Sequence, residues 1–410
     1  MRMNKQKKIV PWLRFPEFIK AGLDVTTLGK ISSIIKEKAG EDEYILMSIT
    51  SGVGLIPQKE KFGREIAGDS YKNYVIIKKY DFAYNKSATK QFPEGYVAML
   101  EQYDEAAVPN SIFICFRIID AESFPPYFNY LFENNYHGHW LRKYIEVGAR
   151  VHGAISVDTK HLWSMPIALP VHKEQKKIAD CLFSVDELIG AESRKLEALK
   201  KHKKGLMQKL FPAEGKTLPE WRFPEFRGKN EWSIKPLGKI CINYDSRRLP
   251  IPEKDRISGN IPYIGASGVI DYINDFIFDE DLLCVSEDGA NLIARTYPIA
   301  FSISGRTWVN NHAHVLKFSN KHTQNIVESY LNMKNLQNFL TGMAQPKLNR
   351  AKLDIIPIPL PGEKEQKKIA DFLSGIDTMI TEQSNKVEQL KTHKKGLMQG
   401  LFPSLEEANI

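Results

Sequence analysis

The feature that most constrains this chain is a stretch it carries twice. Residues 174–212 read EQKKIADCLFSVDELIGAESRKLEALKKHKKGLMQKLFP, and residues 365–403 read EQKKIADFLSGIDTMITEQSNKVEQLKTHKKGLMQGLFP. Aligned without a gap, 25 of the 39 positions are identical. Solenoids repeat every ~20–50 residues, and these copies start at 174 and 365. They divide the chain into two halves, each ending in the same segment.

Apolar residues in each copy step alternately by three and four. The first gives Leu182, Val185, Ile189, Leu196, Leu199, Leu206 and Leu210, the second Leu373, Ile376, Ile380, Val387, Leu390, Leu397 and Leu401. That is the seam of a coiled coil. Its two polar positions match between copies: Glu192 and Lys203 in one, Gln383 and Lys394 in the other. Polar seam residues lower stability but fix register and partner. A 36-residue helix is about 54 Å long. An amphipathic helix lying on its own domain would also show an apolar stripe, but the length, heptad spacing and duplication favour two long helices packed on each other. Each should begin near Glu174 or Glu365, where acidic groups suit the positive end of the dipole, after Pro170 or Pro361 stops the preceding segment. Each should end before Pro212 or Pro403, with His202–Lys204 or His393–Lys395 near the negative end. Gly205 and Gly396 predict a close approach or a break, since a mid-helix glycine costs about 1 kcal/mol against alanine.

The duplication extends beyond the helices. Arg14-Phe-Pro-Glu-Phe18 recurs as Arg222-Phe-Pro-Glu-Phe226, each beside a tryptophan (Trp12, Trp221) and followed by Leu-Gly-Lys at 28–30 and 237–239. Met165–Pro170 parallels Ile356–Pro361 directly before each helix segment. The bodies between, about 31–164 and 240–355, share little sequence. Both read as mixed α/β. Body one has strand-like runs at 44–49, 74–77 and 112–119 and a helix over 126–144; body two has runs at 269–272, 282–285 and 314–318 and a helix over 324–340. One frame with two different contents suggests one scaffold carrying two readers.

Composition sets outer bounds. The 410 residues suit two or three domains, and 42% hydrophobic content is ordinary for a soluble protein. No apolar run approaches the ~20 residues of a membrane span, and the basic first residues lack the apolar core of a secretory signal. Cys115, Cys181, Cys241 and Cys284 are scattered, as in a cytoplasmic protein with reduced thiols. The net charge of +8 is consistent with a polyanionic partner.

No catalytic signature stands in the sequence: no phosphate-binding loop, no zinc-protease or CxxC spacing, no nucleophile elbow. Phe124-Pro-Pro-Tyr127 resembles the box of amino-methyltransferases but has Phe where Asn or Asp must accept from the target amine. It reads as a loop entering a helix. Val157-Asp-Thr-Lys160 sounds like a nuclease site without a partner carboxylate and reads as surface loop. What remains is recognition surface. In body two, Arg306, Asn310, Asn311 and His312 lie in a segment dense in groups able to read base edges, though the Asn pair could equally make a turn. Arg247, Arg248, Lys347, Asn349 and Arg350 add loops suited to phosphates. Tyr84, Asn85, Lys86, Lys90, Arg150 and His152 are the counterparts in body one.

The doubled EQKKIAD…HKKGLMQ.LFP segments, the RFPEF starts, the IPxP-like exits and SGRTWVNNHAHVL resemble the specificity subunit of Type I restriction–modification enzymes, over essentially the whole chain. The resemblance implies an α+β fold: two α/β target-recognition domains in pseudo-twofold arrangement, separated by two long antiparallel coiled-coil helices. On that reading residues 1–170 hold the first RFPEF segment and recognition domain, and 171–213 the central helix. Residues 214–360 hold the second recognition half, and 361–410 the second helix and tail. Each domain would read one half of a bipartite double-stranded DNA target. The paired helices would set the gap and dock two methyltransferase subunits, and motor-nuclease subunits would join that core. The chain itself would bind no cofactor, with S-adenosylmethionine, ATP and Mg²⁺ on the partners. Two other readings stay open: a stand-alone or fused methyltransferase or nuclease fragment, and a coiled-coil adaptor that binds no DNA.

Overall fold

The computed structural model describes residues 10–87, 89, 91–145, 150–151, 154–155, 158–342 and 345–403. Two uninterrupted 39-residue helices, His172–Leu210 and Glu363–Leu401, stand where the heptads require. The chain forms two compact units. Unit 1 runs up to Glu192 and takes in the residues from Lys386 onward; unit 2 is Ser193–Asn385. Each unit therefore owns the first part of one long helix and the last part of the other.

Inside each unit these helix portions run antiparallel along the seam. In unit 1, Asp186 pairs with Lys394 and Glu192 with Lys386, the partner number falling as the first rises. In unit 2, Lys203 pairs with Asp377, while Met207 and Leu210 share a core with Ile369 and Leu373. Every apolar seam residue is buried or partly buried. The polar seam positions are used. Lys394 is sunk between Glu133 (2.6 Å) and Asp186 (2.7 Å) with its ammonium 5.1 Å from the Tyr130 ring centroid, and Gln383 is buried. The glycine expectation fails. Neither Gly205 nor Gly396 interrupts its helix, and among the described residues a Cβ added at either would meet no atom within 4 Å beyond its own helix backbone and chain neighbours.

The repeated flanks explain themselves through contacts. Arg14 grips Glu174 with two hydrogen bonds (Nε–Oε1 2.8 Å), and Arg222 grips Glu365 likewise (both 2.7 Å), all four side chains being at most 10% exposed. The glutamine beside each glutamate donates to the carbonyl of the exit proline, Gln175 to Pro170 and Gln366 to Pro361, both at 2.8 Å. Leu13 N–H donates to the Gly400 carbonyl and Trp221 N–H to that of Lys209, at 3.0 and 2.9 Å. The RFPEF strap thus ties the start of one long helix to the end of the other within its own unit. Leu23–Thr27 pairs antiparallel with Pro166–Pro170, and Ser233–Pro236 with Pro357–Leu360, closing each body at its neck.

The bodies share a plan that their sequences hide. In unit 1, strands β1 (Ser32–Ile34), β2 (Phe82–Asn85), β3 (Tyr96–Met99) and β4 (Phe113–Ile118) form an antiparallel sheet in the order β1-β4-β2-β3. In unit 2, β5 (Cys241–Asn243), β9 (Leu282–Ser286), β10 (Ala300–Ile303) and β12 (Ala313–Phe318) repeat that order as β5-β12-β9-β10. A helix follows each sheet: α1 (Pro125–Glu133) in unit 1 and α3 (Lys321–Met333) in unit 2. The helix expected over 126–144 breaks at Asn135, whose φ of 56° ends α1 before α2 (Tyr136–Leu141). Unit 2 adds a second sheet, β7-β6-β11-β8, from β6 (Ser258–Gly265), β7 (Gly268–Ile273), β8 (Phe278–Asp279) and β11 (Arg306–Val309). Phe124 leads into α1 with Pro125 and Pro126 in its first turn, and Asp158 caps a short helix by accepting from Lys160 N–H. The first is the loop into a helix expected of it; the second, expected as surface loop, instead opens the helix Thr159–Trp163. No helix among the described residues is long and apolar enough to cross a membrane.

Candidate nucleic-acid interface

In unit 2, the loops at one end of the sheets are tied together by backbone hydrogen bonds. Asn310 N–H donates to Ile264 O (3.0 Å), Glu287 N–H to His312 O (2.9 Å), Leu348 N–H to Glu287 O (2.7 Å) and Gly289 N–H to Pro346 O (3.1 Å). A buried polar network braces them. His314, 1% exposed, lies with Nδ1 2.6 Å from Asp245 and Nε2 2.7 Å from the Leu348 carbonyl. Asp245 also accepts from Val315 N–H (2.9 Å), and Arg248 bridges Glu287 (2.6 Å) and the Ala313 carbonyl (2.9 Å). Burial alone would push both carboxyls up. At Asp245 the hydrogen bonds and charges of His314, Val315 N–H and Arg248 together outweigh it, and at Glu287 those of Arg248, His314 and Lys347 do so, holding each below its ordinary value.

This network sorts the sequence-derived candidates. Arg248, with a side chain 12% exposed, is a brace and not a free phosphate contact: its donors are spent on Glu287, Asp245 and carbonyls. Asn310 is buried, and its Oδ1 accepts from His312 N–H, so of the two readings it is the turn former. Asn349 caps the short helix Arg350–Asp354 through Lys352 N–H. Displayed to solvent are Asn311, His312 (Nδ1 2.8 Å from Asp288), Lys347 (3.2 Å from Glu287) and Arg350 (3.6 Å from Asp354). Arg247 and Arg306 are exposed beside β8. Arg247 stacks on Tyr244 and Phe278 at 4.7 and 4.6 Å, and Arg306 lies 4.8 Å from the Phe276 ring centroid.

Unit 1 corrects more. Tyr84 is 3% exposed and donates its hydroxyl to the Glu94 carbonyl at 2.8 Å, so it is core and cannot touch a base. Asn85 accepts from Ser87 N–H within the β2–β3 loop, and Lys86 is half-buried. Gly95 closes that loop with φ 86°, where a Cβ would meet the Asn85 carbonyl at 2.4 Å. Lys90 and His152 lie outside the described residues. Arg150 pairs with Ile155 in a short hairpin, its side chain undescribed. Sequence reading missed Arg142, exposed on one side and bound to the buried Glu94 at 2.6 Å, and the fully buried His137, which burial pushes down to about 4. It also missed Asp245, Glu287 and His314 as the brace. Their signal was weak, since single polar residues in apolar strands show partners only in three dimensions.

Two frames of one plan, built around unlike loops, define a duplicated scaffold. The family model for the Type I restriction modification DNA specificity domain matches residues 24–201 and again 229–391. The chain belongs to that family. A putative type I restriction enzyme specificity subunit of Haemophilus influenzae is 34% identical over 152 residues, 37% of this chain and 38% of that protein. A putative type I specificity subunit of Methanocaldococcus jannaschii is 29% identical over 258 residues, 59% of this chain and 60% of that protein. These alignments span less than two thirds of the relatives' own lengths. The crystal structure of a type I restriction–modification S subunit from M. genitalium matches 97% of this chain and 100% of its own at TM-score 0.60 and 15% identity, a likeness of fold.

Proposed function

We propose that this chain is the DNA-recognition subunit of a Type I restriction–modification complex. It performs no catalysis of its own. Each unit reads one half of a bipartite duplex target, two methyltransferase subunits dock on the paired helices, and motor-nuclease subunits join through them. S-adenosylmethionine, ATP and Mg²⁺ act on those partners, and the assembly works in the cytoplasm. The observation that carries this reading is the frame built twice, with the same Arg–Glu grip and the same four-strand order around unlike loops. Two equivalent readers on one chain suit a target of two unlike halves.

Sequencing of methylated bases in a host expressing this chain, with and without its cognate methyltransferase, tests the proposal. A split motif with a fixed gap, present only with both proteins, is expected. A motif with this chain alone would mean it carries an active site. No motif from a folded complex would leave the coiled-coil adaptor as the better account.

A further inference from the structure

The β6–β7 hairpin carries more apolar surface into solvent than its place in unit 2 requires. β7 is the edge strand of its sheet, and Val269, Ile270 and Tyr272 are 49%, 50% and 54% exposed. Asp271, on the same strand, pairs across from Tyr263 and is held by Arg256 at 3.1 Å, whereas Val269 and Tyr272 pair across from Ile264 and Pro262, on the other face of the hairpin.

The hairpin is continuous with the candidate interface. Its turn is fastened by Ser286 Oγ–H donating to Ala266 O, and β6 accepts at Ile264 O from the N–H of Asn310, next to exposed Asn311 and His312. Ile270 folds over the turn, where a Cβ on Gly265 would lie 3.1 Å from Ile270 and 3.6 Å from Asn310 Nδ2. Lys347 and Arg350 extend the same set of loops with exposed cations suited to phosphates. A two-stranded ribbon fits the major groove of B-DNA, about 12 Å wide, where the thymine C5-methyl is the apolar mark among donors and acceptors.

We infer that the β6–β7 hairpin is the element of unit 2 that enters the major groove, and that Ile270 and Tyr272 read thymine methyl groups in that unit's half-site. The inference rests on the DNA-reading function proposed above. Its test uses the full chain with its methyltransferase partner and duplexes carrying the motif found by methylated-base sequencing. Burying one methyl-sized group is worth ~0.8 kcal/mol, about fourfold in affinity. Replacing thymine by deoxyuridine in the half-site read by unit 2 should therefore weaken wild-type binding about fourfold at a contacted position. Ile270→Ser and Tyr272→Ser should relax the thymine preference in that half alone, keep the wild-type melting midpoint and show no further loss on the deoxyuridine duplex. A bipartite motif unchanged by both substitutions, or wild-type affinity indifferent to deoxyuridine throughout that half, overturns the inference and leaves the DNA-reading function standing. Absence of any motif with the wild-type chain overturns both.

Discussion

The two buried guanidinium–carboxylate grips carry more of the fold than their surface counterparts. Glu174 and Glu365 are 1% and 3% exposed at the side chain, and each is held through a bidentate pair. Removing one member of a buried pair leaves an uncompensated charge and costs ~3–5 kcal/mol, whereas removing both together can be nearly neutral. Arg222→Met should thus lower the unfolding free energy by several kcal/mol, and Arg222→Met/Glu365→Met by clearly less. A double-mutant cycle from denaturant unfolding checks this, and equal losses would show that the strap is held by packing alone. The Asp245–His314–Glu287–Arg248 brace gives a pH signature. Both carboxyls sit below their ordinary values in the folded chain, so the unfolded chain takes up their protons first as pH falls. The stability they supply is complete above the ordinary carboxylate range of about 4 and is lost as pH drops through their lower folded values. Asp245→Asn should be less stable than wild type at pH 6 and should lose less on going to pH 3, as followed by thermal midpoints across that range.

The long helices were the most legible elements, because a seam of alternating three and four over nine positions admits one geometry. Their observed ends, His172–Leu210 and Glu363–Leu401, fall where the prolines and acidic starts put them. The glycines did not behave as expected. Gly205 and Gly396 stand in regular helix with open space where a Cβ would go. Alanine there should stabilise by about 0.5–1 kcal/mol per site, through lower backbone entropy in the unfolded chain. Calorimetry of Gly205→Ala and Gly396→Ala reads this directly, and a loss of stability would mean the glycines relieve a contact that opens only on unfolding or assembly. The shared sheet order was invisible in the sequence. Strands such as Leu282–Ser286 are buried at all five positions, so they show no alternation, and strand order depends on pairings that a run of apolar residues does not encode. The candidate loops were half legible for a related reason. Asn310 and Asn311 are neighbours of one type, yet one is buried as a turn former and the other exposed. Only the fold separates them.

At the scale of the whole molecule, the constraint is that both long helices begin in one unit and end in the other. If the paired helices set the separation of the two readers, length added to one helix alone leaves the seam unmatched, because Asp186 with Lys394 and Lys203 with Asp377 would no longer face each other. A heptad inserted into both, at equivalent places in the repeat, keeps every apolar seam position facing its partner. Seven residues add about 10 Å at 1.5 Å rise each, and base pairs stack every ~3.4 Å along one strand. The doubly lengthened chain, expressed with its methyltransferase, is therefore expected to write a motif with the same two halves and a gap longer by about three base pairs. The half-sites should be retained because the inserted heptads leave the loops of both bodies untouched. An unchanged gap, read by methylated-base sequencing from a complex that still assembles, would mean that something other than helix length spaces the readers. Loss of methylation from the singly lengthened chain, with the doubly lengthened chain active, would place the ruler in the matched pair.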